Sequence, residues 1–135
     1  MLALRILSIT GFLWICFWFG MFFTEVPNPA NVLHVKTGCA LFSFAFVIIL
    51  AVVSLIIAAK RNKPILKTPC VTTLVLLPVC VLLISVITNK NPYADPYVIN
   101  GIFICGSVYS FIFLVFTFIV TLRKRSGTAV KEAQP

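Results

Sequence analysis

An all-α membrane protein, a bundle of four transmembrane helices with both termini in the cytoplasm, is what this sequence predicts, and three observations predict it. The first is composition: of 135 residues, 61% are hydrophobic and 10% charged, whereas a soluble domain carries about 45–50% apolar and about 25% charged residues. The second is the grouping of apolar residues into four runs, Ile6 to Phe23, Thr37 to Ala59, Pro69 to Thr88 and Val98 to Leu122. Each run is near the roughly 20 residues that cross about 30 Å of hydrocarbon, and none contains Asp, Glu, Lys, Arg or His. The third is the placement of positive charge. Lys60, Arg61, Lys63 and Lys67 fill the middle connection, and Arg123, Lys124, Arg125 and Lys131 fill the tail, on the same side as Arg5. Short loops rich in Lys and Arg stay cytoplasmic. One membrane domain over residues 1–122 and a disordered basic tail over 123–135 account for the whole chain. Strands of a barrel are excluded, because they would alternate in polarity over about 10 residues instead of running continuously apolar.

The first span has to be weighed against a signal peptide, since Arg5 precedes an apolar run. That run is longer than the usual 7–15 residues, and no pair of small residues closes it near Phe23, Thr24 and Glu25. It reads as a retained helix. Trp14, Trp18 and Phe22 recur at four-residue spacing, an aromatic stripe expected to face lipid or a neighbouring helix.

The second, third and fourth spans share a device at their starts. A short polar side chain can cap the free amides of a first helical turn, and proline suits the next position because its missing N–H would be unpaired there anyway. Asn28-Pro29, Thr68-Pro69 and Asp95-Pro96 have this form, which makes Asn28, Thr68 and Asp95 the predicted helix caps. A start at Pro29 would carry the first turns of the second helix into the outer headgroups, wetting Asn31, His34 and Lys36. Within the spans, Ser54 with Ala58, and Gly106 with Ser110, repeat small residues at four-residue spacing, the pattern that lets helices pack closely in lipid. Pro78 lies deep in the third span, where it removes a backbone hydrogen bond and kinks the helix. Thr72, Thr73 and Ser85 are candidates to satisfy the freed carbonyls. Tyr93 and Tyr97 fit an interfacial aromatic belt.

A shift of 63 residues lays Asn28-Pro29 on Asn91-Pro92, Gly38 on Gly101 and Lys60-Arg61 on Arg123-Lys124. Two similar helical hairpins, related by an axis along the membrane normal, are a candidate duplication.

Residues 28–30 spell NPA, and in that tripeptide the chain resembles aquaporins. Their fold, however, needs two such motifs on opposed half-helices. Here the second half reads Asn91, Pro92, Tyr93, and the likeness ends at three residues. In length and span number the chain is similar to small multidrug exporters, yet it lacks the membrane-embedded Glu those proteins use in their first helix. Four spans with short connections and internal termini also resemble MARVEL-type and other tetraspan membrane proteins, in architecture and without a shared motif.

Little in the sequence points to chemistry. Ionisable groups inside a membrane mark ion pathways and substrate sites, and the four runs hold none. The sole histidine, His34, sits near the outer surface as a solvated residue, and no cofactor or metal is implied. A hydroxyl or thiol nucleophile needs a neighbouring base, for which only Glu25, Asp95 and His34 are at hand. Five cysteines, Cys16, Cys39, Cys70, Cys80 and Cys105, fall in or beside spans and read as small packing residues. Cys70, beside basic residues at the inner edge, is also a candidate for S-palmitoylation.

The net charge of +8 sits where it meets anionic headgroups. Arg5, Lys60, Arg61, Lys63, Lys67, Arg123, Lys124 and Arg125 are therefore predicted to contact lipid and set topology rather than to bind nucleic acid. The sequence thus leads to a small multi-pass protein of undetermined membrane that acts by association with lipids and with a membrane-protein partner or a second copy. The competing expectation is a small transporter or channel for a neutral or lipid-like solute.

Overall fold

The computed structural model describes residues 2–24, 32–62, 64–90 and 96–132, and side chains within 2–24, 34–62, 64–88 and 97–123. It holds four α-helices: α1 (Leu2–Phe23), α2 (Val32–Lys60), α3 (Pro64–Lys90) and α4 (Pro96–Glu132). Each is long and apolar enough to cross a membrane. All four exceed the predicted runs at one or both ends. Polar turns can be added to a helix at the headgroups, where backbone groups pair within the helix whatever the solvent. The predicted caps Asn28 and Asp95, with Lys63 and the Asn91-Pro92 echo, lie outside the described residues.

The third predicted cap has a different place. α3 begins at Pro64, so Thr68 and Pro69 lie in its second turn and Thr68 is no cap. The signal for the true start is Asn62, whose φ of 51° is left-handed, the conformation that Asn adopts just past a helix C-terminus. Arg61 N–H closes α2 on the Ile57 carbonyl at 3.0 Å, Asn62 reverses the chain, and Pro64 fits a first helical position. Leu66 then turns inward and is 1% exposed. At the other end of the chain, the backbone of α4 stays helical through residues 123–132, where the sequence suggests a disordered tail. Lys, Arg, Ala and Glu there are good helix formers, and only Gly127 weakens the run.

The helices run alternately up and down. Arg5 at the start of α1 meets Thr121 near the end of α4, and Phe22 at the end of α1 meets Phe103 near the start of α4. Thr37 of α2 likewise meets Thr88 of α3. Helices consecutive in the chain pack on each other, α1 also packs on α4, and α2 on α4 across the middle, while α1 and α3 make no contact among the described residues. The bundle is therefore a flattened ring with α2–α4 as its short diagonal.

Lipid gives helices no hydrophobic reason to associate, so contact rests on van der Waals fit and on hydrogen bonds. Both are visible. On the diagonal, a Cβ built on Gly106 would stand 2.6 Å from Cζ of Phe44, so any larger residue there would force the tip of the ring to shift. Gly11 of α1 serves the neighbouring approach, with Leu114 Cδ2 3.0 Å and Phe46 Cε1 3.1 Å from a built Cβ. Ser54, Ala58 and Ser110 are also buried.

Every contacting pair of helices also carries a polar link. Arg5 Nη2 donates to the Thr121 carbonyl at 2.9 Å, Trp14 Nε1 to the Phe42 carbonyl at 2.9 Å, and Lys36 Nζ to Asn100 Oδ1 at 3.2 Å. Thr37 and Thr88 share a hydroxyl bond at 3.3 Å, and the Thr73 hydroxyl reaches the Tyr109 hydroxyl at 3.5 Å. Most other hydroxyls bond back to their own helix, among them Ser8 to Leu4, Ser110 to Gly106 and Thr117 to Phe113.

Candidate functional site

Two places along the α1–α4 seam combine polar groups with shaped apolar surface. The first lies at the end away from the middle basic connection. Phe22 of α1 and Phe103 of α4 stack in parallel with centroids 3.8 Å apart and planes 4° apart. Phe44 joins at 5.6 Å and Phe19 at 5.9 Å. Phe22, Phe44 and Phe103 are fully buried, so the rings pack the interior of the bundle at this end. Lys36 closes the cluster, with its ammonium 5.1 Å from the Phe22 centroid and bonded to Asn100. A cation over a ring face is held by the ring quadrupole, and the amide oxygen supplies a hydrogen-bond partner. The sequence assigns Lys36 to a wetted outer turn; here it is half-buried and ties α2 to α1 and α4. Its partners stand far away along the chain, so no local pattern announces the cluster.

The aromatic stripe of α1 faces neighbours rather than lipid alone. Trp18 stacks on Phe42 at 5.3 Å and 14°, and Trp14 lies 5.9 Å from Phe46. The Trp18 Nε1 is buried with no hydrogen-bond partner among the described residues.

The second place is at the basic end. A lateral groove of about 200 Å³ opens between Ser8, Ile9, Phe12 and Leu13 of α1 and Leu114, Val115 and Phe118 of α4. Ser8 and Leu114 are buried and form its floor, while Ile9, Leu13 and Val115 stand exposed at its rims. Phe12 and Phe111 meet edge to face at 5.1 Å beside it. The Ser8 hydroxyl is turned to the Leu4 carbonyl at 2.7 Å, which leaves an apolar lining. One helical turn beyond Ser8 and Phe118 the Arg5–Thr121 bond spans the same seam. Arg5 Nε is buried and has no partner among the described residues.

Other predicted positions are spread out. Lys60, Arg61, Lys67 and Arg123 are exposed, and Lys124 and Arg125 lie on α4 beyond the described side chains. Pro78 sits inside α3 and is half-buried. Prolines at 69 and 78 free the carbonyls of Ile65 and Leu74, four residues earlier. Thr72 and Thr73 donate instead to the carbonyls of Thr68 and Pro69, at 2.8 and 2.7 Å, so they do not serve the kink as the sequence suggests. Ser85 offers its carbonyl to Thr88. All five cysteines are free thiols. Cys70 is 0% exposed, packed in the bundle and out of reach of an acyl donor. No group of three metal-ligating residues occurs among the described residues.

Among the described residues the fold is all-helical, with four helices each long and apolar enough to cross a membrane. Comparison with protein-family models, with curated protein sequences and with solved structures finds no match.

Proposed function

We propose that the chain is a non-catalytic membrane protein that works by association, as a subunit, assembly factor or organiser that presents helix faces to a membrane-protein partner or to a second copy. The observation that carries this reading is a packed interior: the Phe22–Phe103 stack and the Phe44 ring against Gly106 fill the bundle at the end that carries Lys36. Bulky side chains such as Phe17, Leu82 and Ile112 stay exposed on the outside, which leaves the outer faces as the surface for interaction. Lys and Arg in the middle connection and tail favour both termini in the cytoplasm, and the repeated Asn-Pro starts favour two related hairpins.

The second reading is a small transporter or channel for a neutral or lipid-like solute, formed by several copies. Pro78 favours it, because a proline within α3 supplies a place where a helix can bend. Photocrosslinkers placed at Leu82 and Ile112 in native membranes separate the two. Association predicts a discrete, stoichiometric crosslinked species. Solute flux from the pure protein in liposomes, with no crosslinked species, overturns it.

A further inference from the structure

We propose that the α1–α4 seam at the basic end is a binding site for one anionic phospholipid, with its phosphate on Arg5 and an acyl chain in the groove above Ser8 and Leu114. This does not rest on the association reading, since a lipid bound there would serve a partner subunit or a transporter equally.

Arg5 supplies the first half of the argument. Its guanidinium offers donors in a planar fork, of which Nη2 is used by the Thr121 carbonyl while Nε is buried without a partner. A carbonyl is a neutral acceptor and leaves the charge uncompensated. The guanidinium thus carries a full positive charge against a neutral partner, and a phosphate diester is the anionic acceptor that its fork of donors recognises.

The groove supplies the second half. It starts one turn deeper in the membrane on the same two helices and is lined by six apolar residues and a Ser8 whose hydroxyl is already engaged. A free inorganic anion would satisfy Arg5 and leave the groove unexplained. An apolar solute would do the reverse. A phospholipid carries an anion directly above a hydrocarbon chain, in the order that the seam presents. The other described basic residues at this end, Lys60, Arg61, Lys67 and Arg123, are exposed and can add only diffuse attraction.

Native mass spectrometry of the full chain in mild detergent, with added phosphatidylglycerol or phosphatidylcholine, tests the site. One phosphatidylglycerol should be retained over phosphatidylcholine by about fivefold, the factor expected of one cation at a membrane surface. Arg5→Gln should bring the two lipids to parity and Arg5→Lys should keep part of the preference. Lys67→Gln, a charge-matched change at the same end, should leave it intact. Val115→Phe, which fills the groove without touching Arg5, should lower retention of both lipids. Circular dichroism and gel filtration establish that each variant is folded. Equal retention of the two lipids by the unaltered chain overturns the proposal. So does an equal loss in Lys67→Gln and Arg5→Gln, which would make the preference a property of surface charge alone. Unchanged retention in Val115→Phe, or a protein crosslinked in stoichiometric yield from Leu13, also rules against a lipid in the groove.

Discussion

The two ends of the α1–α4 seam join the same pair of helices by opposite means. At the end that carries Lys36, the helices are locked by parallel rings 3.8 Å apart and by an ammonium bridging to Asn100. At the basic end the Arg5–Thr121 bond and the Phe12–Phe111 edge contact join them, and beside these lies a lateral groove of about 200 Å³. Aromatic planes supply dense dispersion contact, whereas Ile9, Leu13 and Val115 line the groove and stay exposed. In a membrane, then, tightness is a local property of side-chain fit, and one helix pair can be rigid at one end and open at the other.

Three substitutions probe how deep that contrast runs. Phe103→Ala should have the largest effect, about 3 kcal/mol lost. That is the low end for truncating a buried aromatic, because lipid replaces part of the transfer term but none of the ring contact. Thermal unfolding in detergent reads it, and a loss no larger than that of a surface change would mean the stack does not hold the seam.

Gly106→Ala comes next. Its new methyl would press on the Phe44 ring, at a cost of about 2 kcal/mol in the same assay. Adding Phe44→Leu should restore part of that, since neighbouring sites do not add. A double variant no better than the single one would place the strain elsewhere. Leu13→Ala, on the groove rim, should shift stability by less than about 0.5 kcal/mol. A loss equal to that of Phe103→Ala would erase the distinction between the two ends.

Much of this fold was legible in the sequence, for reasons that particular residues make clear. The four spans follow from uninterrupted apolar runs, which only a helix can carry through hydrocarbon. The start of α3 was misplaced because Thr68-Pro69 imitates a cap, while the turn made by Asn62 and Pro64 sits among basic residues that read as loop. Pro69 reads as a helix beginning, but in lipid proline is tolerated inside a helix, and here it lies within α3. The small residue Gly106 stood out by its spacing with Ser110, but its partner Phe44 did not, because nothing in an apolar run says which ring will face a glycine 62 positions away. Lys36 with Asn100 was hidden for the same reason. The groove was beyond reach of any pattern, since it depends on how far two helices splay.

Trp14 gives the α1–α2 contact an optical signature. The chain contains two tryptophans, and the Trp14 indole N–H is fixed to the Phe42 carbonyl at 2.9 Å. In the low-dielectric interior such a bond and its few neighbouring dipoles dominate the local field, and indole emission follows that field closely. With Trp18 replaced by phenylalanine, fluorescence would come from one site and would change colour as α1 leaves α2. The protein thus carries an unlabelled gauge of whether its first two helices stay joined when something binds.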